Sequence, residues 1–217
     1  MPEQRANESA LFLKPSKPMV IILLVIFLLA GLGIRLIDLD DLPLDFAVTR
    51  QLHSYIMTRG IYYEMDTPIT NAIPPETRQF AIETGKSEPQ IEPPIMEYLV
   101  AFIYRLIGQE NMLVARLLSI LFWVIGGIPL FLLARRMTTR NGAFIALALY
   151  LFNPFATIAS RSFQPDPLMV MFIVWALYFQ FEWLEKDTLK TTLLAAVFTG
   201  LAVFIKISSV FFVGFSM

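Results

Sequence analysis

The sequence predicts an all-α, multi-pass transmembrane protein with a large extracytoplasmic first loop that carries amphipathic surface helices. Three observations support that prediction. The 217 residues are 56% hydrophobic and only 16% charged, with a mean hydropathy of +0.62, which lies outside the soluble range. Five apolar runs alternate with polar stretches. Basic residues in the short stretches fall almost entirely on one side, as a fixed orientation in a bilayer requires.

A polar N-terminus, Met1 to Pro18, precedes the first run, Met19 to Ile37. At 1.5 Å of rise per residue, that run covers about 30 Å, the thickness of the hydrocarbon core. It exceeds a signal-peptide core and has no small-residue cleavage site, so it reads as a retained signal anchor. Asp38 to Asn111 is a polar loop with twelve of the eighteen acidic residues and seven prolines. Within it, Asp45 to Arg59 sets Val48, Leu52, Tyr55 and Ile56 on one helical stripe, and Pro94 to Ile107 does the same with Ile95, Leu99, Phe102, Ile103 and Leu106. Both are too short to span. The second, opened by Pro93-Pro94 and stopped by Gly108, is expected along the membrane surface. Thr67 to Pro89 is rich in Pro, Thr and Glu, has no period and reads as a loop.

The second span is Met112 to Ala134, where Gly126, Gly127 and Pro129 predict a bend. The third is Gly142 to Ala159, the fourth Pro167 to Leu184 and the fifth Leu189 to Ile205. Residues 207–217 begin a further span that is still apolar at Met217, so a longer protein is expected. Lys14, Lys17, Arg135, Arg136, Arg140, Lys186 and Lys190 share one side, against Arg161 alone in the opposing short turn. That side, with the N-terminus, is expected to be cytoplasmic and the acidic loop extracytoplasmic.

A net charge of -1 argues against a nucleic-acid partner, which needs a basic face. The absence of cysteine and the single His53 rule out a disulfide framework and a thiolate or multi-histidine metal site.

The stretch Asp38-Leu39-Asp40-Asp41-Leu42-Pro43-Leu44-Asp45 puts four carboxylates at the mouth of the first span. Arg35 precedes it, Arg116 lies one turn into the second span, and Arg161 and Asp166 stand between the third and fourth. Lys206 is sixteen residues beyond Lys190, and that separation returns it about 24 Å to the same outer layer. The layer offers cations for a phosphate and carboxylates to remove a proton. Each residue also has a plainer role. Asp45 and Asp166-Pro167 suit helix N-caps, while Arg35, Arg116, Arg161 and Lys206 suit snorkelling to headgroups. His53 suits an interfacial position, Trp123, Trp175 and Trp183 suit packing or lipid contact, and Asp38, Asp40 and Asp41 suit plain solvation.

The order of signals resembles the GT-C glycosyltransferases, and within them the protein O-mannosyltransferase and aminoarabinose transferase group. The resemblance rests on Leu42-Pro43-Leu44-Asp45 after the first span, Glu92-Pro93-Pro94-Ile95, Ala115-Arg116-Leu117-Leu118-Ser119, Ser160-Arg161 to Pro165-Asp166, and Gly200 to Lys206. It implies the N-terminal portion of an enzyme that transfers a sugar from a polyprenyl-phosphate donor to a protein, lipid or glycan acceptor on the outer face, with inversion. It implies further helices that complete the donor cavity. Asp45 matches the catalytic acidic position, Asp166 the second acidic position, and Lys206 a lysine near the donor phosphate, where Arg161 or Arg50 would assist. Two positions depart from the family. Phe46 follows Asp45 where Glu is common, so the carboxylate pair for a divalent metal is broken; such a metal stays open without sequence support, and no cofactor is assigned. Glu92 stands where His or Lys is common before the Pro-Pro pair. The expected setting is a prokaryotic plasma membrane. The rival reading is a transporter or flippase for a lipid-linked or anionic substrate, which would place ionisable residues nearer the midplane and show an internal repeat; a noncatalytic lipid-binding subunit is the third.

Overall fold

The computed structural model describes residues 17–65 and 67–214. Most of the polar N-terminus, with Lys14, and the last three residues of the expected further span lie outside the described residues. Among the described residues the fold is helical without strands. Three helices are long and apolar enough to cross a membrane: α1 (Lys17–Arg35), α6 (Met112–Met137) and α9 (Asp166–Lys186). The chain is an integral membrane protein of the multi-pass, all-α class.

Helix α1 packs on α6 and α7 (Arg140–Phe152) through a small cluster of Val20, Phe131, Ala143, Leu147 and Leu151. Its other faces are apolar and exposed, Ile21, Ile22 and Leu29 among them, as suits contact with lipid. Helix α6 continues unbroken through Pro129. Gly126 serves close packing: a Cβ there would stand 2.6 Å from the Tyr150 hydroxyl. Trp123 stacks on Tyr150 at 4.6 Å, and α9 meets α10 (Leu189–Ile205) through Trp175, Phe179 and Phe198. Trp123 and Trp175 are therefore packing residues.

The third apolar run does not form one helix over 142–159. Asn153-Pro154 divides it into α7 and a six-residue α8 (Pro154–Ala159), because proline disfavours helical backbone at the residue before it and lacks an N–H to donate. The break frees the Leu151 carbonyl, and Arg35 takes it at 2.9 Å while also donating to Ser160 Oγ at 2.7 Å and Gly31 O at 2.7 Å. Arg35 is fully buried. It pins α1 to the α7–α8 break and does not take the snorkelling position that its place at a helix end also suits.

Four helices fill the segment between α1 and α6: α2 (Val48–Glu64), α3 (Pro68–Asn71), α4 (Pro75–Ser87) and α5 (Ile95–Ile107). The loop expected over Thr67 to Pro89 is thus corrected to two helices. Thr67 and Thr70 form a capping box for α3, and Pro75 at the first position of α4 suits a helix start. Helix α4 lies against α2 at Gly60 and Gly85, where a Cβ on Gly85 would stand 2.8 Å from Gly60 Cα. The stripe expected on α2 is also corrected. Leu52 is 43% exposed, and the inward face carries Gln51, Ser54, Tyr55, Thr58 and Tyr62. On α5 the inward face is Met96, Val100, Ala101 and Tyr104, while Phe102 and Leu106 of the expected apolar stripe point outward. After α10, a 3-10 turn (Ile207–Ser209) and α11 (Val210–Val213) follow Lys206.

Candidate active site

Charged side chains form two groups, one where the α9 N-terminus, the α10 C-terminus and the segment before α5 meet, the other where the 39–45 loop meets the start of α6. The first is a chain of ion pairs. Lys206 Nζ lies 3.0 Å from Asp166 Oδ1 and 3.7 Å from Glu92 Oε1. The other oxygen of Glu92, Oε2, accepts from Arg50. Arg50, Glu92, Lys206 and Asp166 therefore line up in alternating charge, drawn from α2, the Pro93-Pro94 turn, the end of α10 and the start of α9. All four are partly exposed, Glu92 least at 14%, so solvent reaches the chain.

Local sequence explains the positions. Helix α10 opens on a Thr188/Thr191 capping box and ends when Lys206 turns to extended backbone, which puts the ammonium at the helix terminus. Helix α9 begins at Asp166, with Pro165 as its N-cap residue and no side-chain cap. Asp166 is thus not the cap its Asp-Pro sequence suggests. Its carboxylate faces Lys206 from the first helical turn, where the helix dipole favours an anion.

The second group is centred on Arg116, which is 1% exposed. Its Nη1 donates to the carbonyls of Leu39 at 2.6 Å and Asp41 at 2.7 Å, and its Nη2 faces Asp45 at 3.3 and 3.4 Å. Asp45 does not cap α2: the N-cap residue is Ala47, in the left-handed region at φ 45°, with no side-chain cap bond. Asp45 is turned toward Arg116 with about a third of its side chain exposed (34%). Arg116 does not snorkel; it folds the 39–45 loop against the first turns of α6. Beside them the Tyr55 hydroxyl donates to Met112 O at 3.1 Å. Burial pushes its phenol up from 10.0 to about 12; Arg116 opposes that shift and Asp45 reinforces it.

Gln51, which sequence reasoning missed, joins the two groups. It is fully buried, donates through Nε2 to Phe46 O and accepts at Oε1 from Phe163 N at 3.1 Å. One amide thus ties the backbone next to Asp45 to the turn that leads into Asp166. Arg161, from the same turn, donates to Asp38 O at 2.7 Å and has no carboxylate partner among the described residues. Arg50 Nη1, Arg116 Nε and Arg161 Nε, like Arg35 Nη2 in the scaffold, are buried nitrogens without a hydrogen-bond partner among the described residues. A position-by-position reading could not have found Gln51, since an amide in a polar stretch carries no pattern.

Elsewhere in the loop, His53 Nδ1 contacts Glu88 Oε2 at 2.6 Å and is nearly buried, rather than interfacial. Ser54 donates to buried Glu97 at 2.7 Å. Both pairs bind the loop helices together. Among the described residues no three His, Asp or Glu side chains converge as a metal site would require. Each site carboxylate instead faces a guanidinium or an ammonium.

Searches of curated proteins and of solved structures give no match for this chain. Residues 91–216, more than half of the chain, match the sequence profile of the dolichyl-phosphate-mannose-protein mannosyltransferases, a GT-C type family of membrane glycosyltransferases that use polyprenyl-phosphate-linked sugars. The match takes in Glu92, Arg116, Arg161, Asp166 and Lys206, while Asp45 and Arg50 precede it. By that match the chain belongs to the dolichyl-phosphate-mannose-protein mannosyltransferase family.

Proposed function

We propose that this layer serves sugar transfer from a polyprenyl-phosphate donor to an acceptor hydroxyl on the extracytoplasmic face, with inversion. The observation that carries the reading is the convergence of Lys206, Asp166 and Glu92, from three separate elements, with Arg50 on Glu92 keeping an Nη1 that has no partner among the described residues. Lys206, Arg50 and Arg161 take the donor phosphate. As the bond between the anomeric carbon and the phosphate oxygen breaks, charge grows on that oxygen, and fixed cations in a low-dielectric setting oppose its cost. The acceptor oxygen bonds the anomeric carbon from the opposite face, and its proton passes to the Asp45 carboxylate. Polyprenyl phosphate leaves.

Arg116 orients Asp45 and does not itself touch substrate. Asp166 and Glu92 hold Lys206 and Arg50 in position, so a phosphate meets prepositioned cations. The N-terminus is cytoplasmic in this scheme, and the Asp45 layer faces outward.

A transfer assay with radiolabelled polyprenyl-phosphate sugar in membranes containing the protein tests the donor side. Lys206→Gln is expected to lower kcat/KM for the donor about a hundredfold, the scale for losing one prepositioned charge partner. An unchanged donor dependence would contradict the assignment.

A further inference from the structure

The far ends of α6 and α9 enclose a second feature, a cavity of about 660 Å³ lined by Leu132, Arg135, Arg136, Arg140, Tyr178 and Glu185. Glu185 lies nineteen residues beyond Asp166 along α9, which puts the cavity about 28 Å from the Lys206 ion-pair chain, on the opposite face of the membrane region. It is not part of the transfer layer.

Three arginines face one carboxylate in its lining. Arg136 is committed to structure: it pairs with Glu182 and with Glu185 at 2.8 Å and lies 5.4 Å over the Tyr178 ring. It therefore fixes the wall. Arg135 is exposed and Arg140 half-buried. Next to the lining residues along the chain, Met137 after Arg136 and Leu184 before Glu185 are 67% and 63% exposed, and Leu189 at the start of α10 is 76% exposed. A cationic hollow beside exposed apolar side chains at the ends of membrane-crossing helices has the two requirements of a phospholipid, one for the headgroup and one for the chains.

We infer that this cavity binds the phosphate headgroup of an anionic membrane lipid, with Arg135 and Arg140 as its ligands and Arg136 as the fixed wall. A soluble phosphate shares the headgroup chemistry but gains nothing from exposed apolar side chains at these helix ends.

Native mass spectrometry of the purified protein in detergent tests the inference with phosphatidylglycerol, phosphatidylcholine and inorganic phosphate as probes. The protein is expected to retain phosphatidylglycerol over phosphatidylcholine. Arg135→Gln with Arg140→Gln is expected to weaken that retention about tenfold, each juxtamembrane arginine contributing several-fold. Arg135→Lys with Arg140→Lys keeps most of it, and inorganic phosphate does not displace the lipid. Should the double glutamine variant lose helicity, the exposed Arg135→Gln alone is expected to give a several-fold loss. Equal retention of phosphatidylcholine, or wild-type retention in a helical glutamine variant, would overturn the inference. So would loss of binding in a helical lysine variant, because charge would then not be the determinant. Displacement by inorganic phosphate would assign the cavity to a soluble anion.

Discussion

Tyr55 and Arg116 meet where the 39–45 loop closes on α6, and their chemistry makes the local fold sensitive to alkali. The folded phenol is raised from 10.0 to about 12, so the folded state holds the proton more tightly than the unfolded chain. That contribution to stability is fully present below pH 10 and is lost as pH rises through about 12. Tyr55→Phe keeps the ring contact with Phe163 at 4.8 Å but removes the titrating group. Its melting temperature is expected to fall less steeply than that of the wild type between pH 10 and 12. Parallel pH profiles would show that Tyr55 does not titrate with unfolding. Asp45, which faces Arg116 at 3.3 Å, shows how a sequence cue can attach two roles to one residue. Its position before a helix suited a cap, and the buried Arg116 turns the carboxylate away from that use.

Among the elements, α1, α6 and α9 were legible because their hydropathy is uniform and their length is fixed by the bilayer. Helix α4 was not. Its composition has no period, and its one buried apolar residue is Ala81, so no stripe announces it. What holds it is the backbone crossing at Gly60 and Gly85, a contact between distant positions that leaves no local pattern. Helix α2 misled for a related reason, since its inward face is largely polar, with Ser54 donating to Glu97 and Gln51 accepting from Phe163 N. Gly85→Ala tests the crossing. Alanine gains about 1 kcal/mol of helix propensity. Its Cβ would meet Gly60 Cα at 2.8 Å and Ile56 O at 3.2 Å, both backbone atoms that cannot swing aside. Overpacking of this kind costs about 1 to 3 kcal/mol. A net loss, read as faster proteolysis in the 38–111 segment, is expected; added resistance would contradict the crossing.

Across the whole molecule, helix-rise arithmetic was enough to return Lys206 to the layer of Asp166, and the two stand 3.0 Å apart. The departure at Glu92 gains a physical use: it links Arg50 to Lys206 and keeps two like charges together. The joining of that ion-pair chain to the Asp45 loop by Gln51 was not legible, because it depends on three segments folding at once. The central claim is that this assembled layer transfers sugar with Asp45 as the base. It is tested most directly by comparing wild-type and Asp45→Asn protein, at equal expression, in transfer from radiolabelled polyprenyl-phosphate sugar. The substitution preserves size and removes the proton acceptor. Transfer is expected to fall about a hundredfold or more with helicity unchanged, and wild-type transfer by a well-folded Asp45→Asn protein would contradict the account.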